Sequence, residues 1–241
     1  MVLGVVWHAV IFDLYQTLLR GGTASQRRHV NEDMARAMGL DPAGFVDLFN
    51  ATAAQRMRGE FGGLDGTMRA LARRLGGEPT DGQVRLAVLT WQRFHKTILW
   101  PSHATLSTLD ALRELGLKLG LVSNCSEETP IQWPLQPMAP RFDAVVFSCD
   151  IGAVKPDPAA YHAVLGPLQV DPRACVYVGD GNDNELAAAS ALGMRAIRTL
   201  EFADSDPKWI GEIVGRLSEV TGRLGQSPTR GPNAQPGPPA G

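Results

Sequence analysis

Two aspartates in this 241-residue chain directly follow apolar runs, and their carboxylates could act as a nucleophile or as cation ligands. Asp13 follows the run 9–12, and Asp180 follows the run 175–178 and one glycine. Apolar runs of this length are typical of buried parallel strands, and open α/β sheets bind ligands beyond the carboxyl ends of their strands. We therefore predict that both carboxylates lie at one edge of a parallel sheet, with Asp13 as a covalent nucleophile.

Carboxylates that converge in this way need a compensating charge. Two of them about 4 Å apart repel by roughly 4 kcal/mol at an effective dielectric constant of about 20. Protonation of one carboxylate, approach of Lys155, or a bound hard cation would each relieve that repulsion. Oxygen ligands beside a phosphate favour Mg²⁺. Glu185, near the predicted start of a helix, would hold a metal-bound water or orient Lys155.

Polar residues after a second apolar run could stabilise the reacting group. Ser123 and Asn124 follow the run 119–122, and Lys155 precedes a proline. A carboxylate nucleophile divides one displacement into two easier steps through an acyl-phosphate or ester intermediate. Ser123 and Asn124 would donate hydrogen bonds to the oxygens of the transferred group, and Lys155 would offset negative charge. Serine and asparagine at a strand end are equally typical of a helix cap.

The apolar runs predict a parallel sheet interrupted by one long insertion. Helical patterns separate most of the runs, which indicates βαβ units. About a hundred residues separate the first two runs, far more than a crossover helix needs, so we predict a core of residues 1–19 and 102–224 and a helical cap of residues 20–101. The predicted strands are 9–14, 119–123, 144–147, 175–178 and 195–199.

Helical spacing predicts four helices in the cap, and we expect Asp41 to be the N-cap of the second. Arginines of the cap are candidates to bind an anionic substrate, although such charges more often form a solvated face. Trp91, Phe94 and Trp100 fit the core side of the cap. The predicted cap helices are 25–38, 42–58, 66–75 and 81–99. The candidate arginines are Arg27, Arg28, Arg36, Arg56, Arg58, Arg69, Arg73 and Arg74.

Three further helices are predicted in the core, at 105–115, 185–192 and 207–223. Beyond them, the segment 225–241 is rich in proline and glycine and has no apolar face to bury. Such a composition predicts a disordered tail.

Composition narrows the classes of partner. With 23 basic and 25 acidic residues the net charge is −2, so we expect no nucleic-acid or membrane-surface partner and predict a small anionic substrate. No apolar run is long enough to cross a bilayer. The three cysteines form no C-x-x-C pair, which indicates reduced thiols and a cytoplasmic protein. The five histidines lack the spacing of metal ligands.

Taken together, the motifs resemble those of the haloacid dehalogenase-like hydrolase superfamily. The resemblance implies a Rossmann-like α/β core with an inserted helical cap, and catalysis by Asp13, Tyr15, Thr17, Ser123, Asn124 and Lys155. It also implies Mg²⁺ bound by Asp13, the Tyr15 carbonyl and Asp180, with Glu185 as the trailing acid. The matching residues are Asp13, Thr17, Ser123, Lys155, Gly179, Asp180 and Glu185.

Tyr15 departs from the phosphatase version of this pattern, which has at that position an aspartate that protonates the leaving alcohol. A phenol with a pKa near 10 replaces that acid poorly, so we expect weak activity on alkyl esters and a preference for good leaving groups such as aryl or acyl phosphates. Tyr15 and Tyr161 resemble residues of the 2-haloacid dehalogenases, whereas Asp180 is typical of the phosphatases.

The prediction from sequence is therefore a Mg²⁺-dependent phosphatase acting on a small phosphorylated metabolite. Two alternatives stay open. One is a metal-independent 2-haloacid dehalogenase, in which the departing halide needs no proton. The other is a non-catalytic member of the fold that binds a metabolite, although the joint presence of Asp13, Lys155 and Asp180 speaks against it.

Overall fold

A computed structural model describes residues 6–224 and contains one parallel six-stranded sheet in the order β3-β2-β1-β4-β5-β6. This architecture confirms the predicted α/β fold with a Rossmann-like core. The strands are β1 Ala9–Phe12, β2 Lys118–Ser123, β3 Ala144–Phe147, β4 Cys175–Gly179, β5 Arg195–Thr199 and β6 Glu212–Val214.

Eleven α-helices accompany the sheet among the described residues. The first six lie between β1 and β2, and the other five follow later strands. They are α1 Ala24–Ala37, α2 Pro42–Ala51, α3 Ala53–Met57, α4 Leu64–Arg74, α5 Asp81–Ile98, α6 His103–Glu114, α7 Glu128–Gln132, α8 Ser148–Ile151, α9 Pro158–Leu168, α10 Glu185–Ala191 and α11 Glu219–Leu224.

Strand β1 occupies the centre of the sheet, between β2 and β4. Phe12 at its end pairs with Leu121 of β2 and with Val178 of β4. The strand order reverses beside β1, and ligands bind in such a crevice at the carboxyl ends of the strands. The register therefore brings the residues that follow β1, β2 and β4 to one edge of the sheet.

Both faces of the sheet are buried, which explains why its central strands are almost entirely apolar. Alternate residues of β1 enter two different cores: Val10 and Phe12 pack on the side of α6 and α11, and Ile11 packs on the side of α9 and α10. Every residue of β1 and β4 is buried. The strands of a parallel sheet that is covered on both faces have continuous apolar sequences, as β1 and β4 do.

Within the segment between β1 and β2, helices α1, α2, α4 and α5 share a separate apolar core, formed by residues such as Met34, Phe45 and Met68. Five helices replace the four predicted, because the stretch 42–58 breaks at Thr52, whose hydroxyl donates to the carbonyls of Leu48 and Phe49. Asp41 caps α2 by accepting a hydrogen bond from the Gly44 amide, as predicted. The division into cap and core at residues 20 and 101 stays a prediction.

Two other predictions are wrong. Trp100 is 66% exposed, because it follows the end of α5 instead of continuing its buried face, so it does not pack on the core side. The stretch 207–223 is not one helix: Glu212–Val214 forms β6 and pairs with β5, and α11 follows. Sheet pairing of these three residues outweighs their helical pattern. The predicted tail, residues 225–241, lies outside the described residues.

No helix within residues 6–224 combines the length and the apolar composition that a bilayer crossing requires.

Gly120 in β2 provides a test of how tightly the sheet packs against α9. A Cβ atom on Gly120 would lie 2.9 Å from Leu168 Cδ1, 3.0 Å from Val164 Cγ2 and 3.1 Å from Ile11 Cγ1. We expect Gly120→Val to lower the free energy of unfolding by about 1–3 kcal/mol through overpacking. Urea denaturation followed by circular dichroism measures this change.

The matched control is Gly222→Ala in α11, where an added Cβ meets nothing within 4 Å. This substitution should raise the free energy of unfolding by roughly 0.5–1 kcal/mol, because alanine favours the helix. An unchanged stability of the Gly120→Val variant would contradict the close packing of β2.

Candidate active site

Lys155 is the centre of a buried charged cluster at the carboxyl edge of the sheet. Its ammonium donates to Asp13 Oδ1 at 2.5 Å, to Glu185 Oε2 at 2.6 Å and to the Tyr177 hydroxyl at 3.1 Å. Lys155 is 3% exposed, and its three partners are also buried. A lysine this deeply buried is stable only when it is paired, so these contacts determine its position.

Asn124 holds the backbone of Lys155 in place. Its Oδ1 accepts from the Lys155 amide at 2.8 Å, and its Nδ2 donates to the Lys155 carbonyl at 2.9 Å. The peptide bond from Lys155 to Pro156 is cis. Because both ends of the Asn124 amide group are used in this way, the geometry favours a positioning role over the predicted hydrogen bond to a transferred group.

Three carboxylates meet beside Lys155. One oxygen from each of Asp13, Asp180 and Glu185 can be chosen so that the three atoms lie within 4.8 Å of one another. All three residues are buried. They come from the ends of β1 and β4 and from the start of α10, as the parallel register requires. The sequence therefore correctly predicts that Asp13, Lys155, Asp180 and Glu185 converge.

The electrostatics of the cluster show an excess of negative charge. Burial raises the pKa of Asp13, although Lys155 opposes the rise. Burial also raises the pKa of Glu185, to about 7, with Lys155 opposing and Asp13 adding to the effect. Burial alone would lower the pKa of Lys155, but Asp13 and Glu185 outweigh it and raise that pKa. One ammonium thus faces three carboxylates, and a hard cation with oxygen ligands fits this donor set.

Two buried hydroxyls among the predicted site residues lack protein partners. Thr17 and Ser123 are fully buried, and neither side-chain oxygen has a hydrogen-bond partner within residues 6–224. An unsatisfied buried hydroxyl costs about 1–3 kcal/mol. Both therefore remain available to donate to a bound group, and their catalytic roles stay a prediction.

Tyr15 is connected to the segment after β2. Its hydroxyl lies 2.9 Å from Thr129 Oγ1 in α7. Burial raises the pKa of Tyr15 well above its usual value, and Glu128 adds to the rise. The hydroxyl is therefore a still weaker acid than an exposed phenol, and its hydrogen bond directs it toward α7.

A cavity of about 360 Å³ opens above Asp13 and extends under the helices between β1 and β2. Of the eight candidate arginines, Arg27 and Arg56 line it. Arg28, Arg36 and Arg69 instead form surface ion pairs. The aromatic side chains that line the cavity include Phe49, Trp91 and Phe94.

Arg56 and His95 link the cavity wall to the segment after β2. The buried Arg56 guanidinium lies 3.6 Å from the centroid of the Phe49 ring and donates to Ser126 Oγ at 3.2 Å. His95 Nε2 lies 3.2 Å from Glu128 Oε1, and both side chains are buried. The surroundings of Arg56 lower its pKa to about 10, chiefly through burial.

The sequence analysis missed Tyr177, which belongs to the charged cluster. Its hydroxyl donates to Glu185 Oε2 at 2.6 Å. Strand alternation was an available signal, because residues two apart in a strand, such as Tyr177 and Gly179, share one face of β4. In the structure this face meets Glu185: a Cβ on Gly179 would lie 2.0 Å from Glu185 Oε1. The hydroxyl of Tyr161, the other tyrosine of this region, donates to the Glu185 carbonyl at 2.9 Å, and its ring packs against Tyr177.

No comparable signal predicts the pair of His95 and Glu128. The two residues lie in α5 and α7, which meet only because of the tertiary arrangement.

Comparison with known proteins places the chain in a family. The family described as haloacid dehalogenase-like hydrolase matches residues 7–193, which is most of the chain. The chain belongs to this family of hydrolases. The match includes both Asp13 and Glu185, and therefore all four members of the charged cluster named from sequence.

Among curated relatives of this haloacid dehalogenase-like hydrolase, the glyceraldehyde 3-phosphate phosphatase of Methanopyrus kandleri is 33% identical over 143 residues, which cover 57% of this chain and 60% of that protein. The phosphoglycolate phosphatase of Salmonella typhimurium is 33% identical over 128 residues, covering 49% of each. The chain thus spans between about half and 60% of the length of these relatives.

Solved structures show the same fold. The 2-haloacid dehalogenase of Pseudomonas syringae pv. Tomato has a TM-score of 0.65 and 24% identity, covering 91% of this chain and 98% of that one. A HAD phosphatase from Thermococcus onnurineus has a TM-score of 0.65 and 22% identity, covering 90% and 98%. Both types of hydrolase share this fold, so the fold does not choose between them.

Removal of the Lys155 charge tests the electrostatics of the cluster. We expect Lys155→Met, measured in EDTA at pH 8, to lower the free energy of unfolding by about 3–5 kcal/mol, because it leaves buried carboxylates unpaired. The loss should shrink toward pH 5. The pKa values of Asp13 and Glu185 in the folded protein are raised, so these carboxylates bind protons in the folded state as the pH falls. A protonated carboxyl group carries no charge that Lys155 would have to compensate. Urea denaturation at both pH values measures the effect.

Lys208→Met is the control, because Lys208 is exposed and makes no ion pair within the described part of the chain. This variant should stay within about 0.5 kcal/mol of the parent at both pH values. A Lys155→Met variant as stable as the parent at pH 8 would show that the ammonium does not compensate the carboxylates.

Proposed function

We propose that this hydrolase is a Mg²⁺-dependent phosphatase in which Asp13 attacks the phosphorus of a small phosphorylated metabolite. The observation that carries the proposal is the meeting of three buried carboxylates with one ammonium at the carboxyl edge of the sheet. The phosphatase names of the Methanopyrus and Salmonella relatives support the same reaction class.

The oxygens of Asp13 and Asp180, with the backbone carbonyl of Tyr15, would hold Mg²⁺. Bound there, the cation would offset the charge of the carboxylates and of an incoming phosphate. Glu185 already accepts hydrogen bonds from Lys155, Tyr177 and the Gly181 amide. We therefore assign to Glu185 the orientation of Lys155 as its main role, alongside its place at the edge of the cation site.

The chain supplies the covalent chemistry through Asp13. Its Oδ1 is bound to Lys155, which leaves Oδ2 to form the bond to phosphorus while the bond from phosphorus to the leaving oxygen breaks. Water then hydrolyses the aspartyl phosphate and regenerates the carboxylate. The Lys155 ammonium and the free hydroxyls of Thr17 and Ser123 would donate to the phosphoryl oxygens and stabilise the charge that develops on them.

Tyr15 determines which leaving groups suit the enzyme. A phenol with a raised pKa that is hydrogen-bonded to Thr129 does not protonate an alkoxide efficiently. Aryl and acyl phosphates leave as weaker bases and tolerate this loss. The aromatic wall of the cavity, formed by Phe49, Trp91 and Phe94, favours a leaving group with an apolar face.

Helices α1–α5 would form the cap, residues 20–101, over a core of residues 1–19 and 102–224.

We further propose a cytoplasmic location, because Cys125, Cys149 and Cys175 are all unpaired thiols. The expected partner is a small anionic substrate and not a nucleic acid or a membrane, given the net charge of −2.

The second candidate is a 2-haloacid dehalogenase, which Tyr15 favours because a halide leaves without a proton. In that reaction Asp13 would displace halide from carbon and form an ester. Asp180 weighs against it, since a third carboxylate beside the nucleophile repels a carboxylate substrate unless a cation intervenes. A non-catalytic, metabolite-binding member of the fold stays as the third alternative.

An assay of both reactions distinguishes the candidates. The purified protein is incubated with p-nitrophenyl phosphate and, separately, with 2-chloropropionate, each with Mg²⁺ or with EDTA. We expect phosphate release that EDTA abolishes, and a loss of at least about 10³-fold in Asp13→Asn, because the amide is not a nucleophile. Chloride release insensitive to EDTA would establish the dehalogenase, and inactivity toward both would support the binding protein.

Tyr15→Asp tests the assignment of the missing acid. We expect it to raise kcat/KM for an alkyl phosphate relative to p-nitrophenyl phosphate by about 10²-fold, the lower end of what a general acid contributes. Tyr15→Phe, which keeps the ring and removes the hydroxyl, is the control and should leave that ratio unchanged. A change of the ratio in Tyr15→Phe would mean that the Tyr15 hydroxyl itself donates the proton.

A further inference from the structure

A short segment after β5 lies against Asp180, and we call it the strap: residues 203–206. The strap follows the stretch matched by the family, which ends at residue 193. The family match therefore does not include the residues of the strap.

Ser205 in the strap holds the carboxylate of Asp180. Its hydroxyl donates to Asp180 Oδ2 at 2.5 Å, and the other oxygen, Oδ1, accepts from the Asn182 amide at 3.2 Å. Each carboxylate oxygen has two lone-pair sites, so Asp180 keeps one free site on each oxygen. The two hydrogen bonds together stop rotation of the carboxylate and leave it able to bind a cation.

Arg198 holds the strap in place. This residue of β5 is 3% exposed, and its guanidinium donates to the Asp206 carbonyl and to the Asp204 carboxylate. In the sheet, Arg198 pairs with Gly179, the residue before Asp180. Arg198 thus offsets the charge of Asp204 and holds the Asp204 side chain and the Asp206 backbone, one on each side of Ser205.

Gly181 allows the strap to approach this closely. Its φ is +95°, and a Cβ atom there would lie 2.6 Å from Asp206 Cβ. Any larger residue at position 181 would push the strap away from Asp180. The backbone next to Asp180 and the strap are therefore in direct contact.

We propose that Ser205 is a positioning residue for Asp180 in cation binding, and that Arg198 acts through the strap to keep Ser205 in place. This inference rests on the proposed function, because it requires Asp180 to be a cation ligand. Groups that orient metal ligands typically change metal affinity by 10–100-fold when they are removed. Ser205 is exposed, so the substitution used to test it should not disturb folding.

The experiment measures the dissociation constant of Mn²⁺, the probe for the divalent cation, by the electron paramagnetic resonance signal of the free ion. The full chain is titrated without substrate, so the readout is independent of activity. We expect Ser205→Ala to weaken binding by about 10-fold, and Ser205→Thr, which keeps the hydroxyl, to restore most of it. At saturating Mg²⁺ the kcat of Ser205→Ala should return to within about twofold of the parent.

The matched control is Ser218→Ala, an exposed serine beyond β6 whose side chain makes no hydrogen bond within the described residues. This variant should bind Mn²⁺ as the parent does. Unchanged or tighter Mn²⁺ binding in Ser205→Ala would overturn the positioning role, since tighter binding would mean that the serine competes with the cation.

A double-mutant cycle tests the role of Arg198. If Arg198 acts through Ser205, Arg198→Gln should weaken Mn²⁺ binding in the parent but add less than about twofold in the Ser205→Ala background. Additive losses would overturn that part of the proposal. Circular dichroism confirms folding of the Arg198 variant, and the Ser205 result stands by itself if that variant unfolds.

Asp180→Asn separates failure of this inference from failure of the proposed function. If Asp180→Asn abolishes Mn²⁺ binding and Ser205→Ala does not change it, the positioning role is wrong and the cation site stands. If Asp180→Asn binds Mn²⁺ like the parent, the cation site itself is wrong, and the inference falls with it.

Discussion

One ammonium, that of Lys155, faces the carboxylates of Asp13, Asp180 and Glu185 in a buried pocket, and this imbalance of charge governs the organisation of the site. Burial penalises every charge in the cluster, so each member needs a partner in a defined place. Tyr177 and the Gly181 amide satisfy Glu185, while Asn124 fixes the backbone of Lys155. The negative charge that is left over is what makes the pocket suitable for a hard cation.

The parallel sheet is what makes this concentration of charge possible. All six strands run in one direction, so the residues after β1, β2 and β4 emerge at the same edge. The strands themselves are held by two apolar cores, one on each face. The free energy of burying those apolar side chains therefore supports a site that is unfavourable in isolation. The interior of the sheet supplies the stability, and the edge of the sheet carries the charged site.

The helices between β1 and β2 reach the site through the segment that follows β2. Tyr15 contacts Thr129, Arg56 contacts Ser126, and His95 pairs with Glu128. The chain that leaves β2 after Ser123 and Asn124 thus leads directly to the contacts with the helical region. A movement of the helical region relative to the sheet would displace the Tyr15 side chain, because the Tyr15 hydroxyl is hydrogen-bonded to Thr129 in the segment after β2. The cavity lies between the two parts and is lined by residues of both.

The sequence by itself determined the fold class and the chemical identity of the site. The run 144–147, for example, matches the observed strand β3, because buried parallel strands need continuous apolar residues. Asp13 and Asp180 were recognisable because each follows such a run. These are local signals, and parallel topology turns them into proximity without further information.

Only the tertiary structure decided the partners of those residues. Ser205 and the pair of His95 and Glu128 depend on contacts between elements distant in sequence, and no local pattern encodes such contacts. The stretch 207–223 shows the same limit: its helical pattern is overridden at Glu212–Val214 by pairing with β5. Hydrogen bonds to a neighbouring strand and to buried carboxylates are set by geometry in three dimensions, because their strength depends on distance and burial and not on separation along the chain.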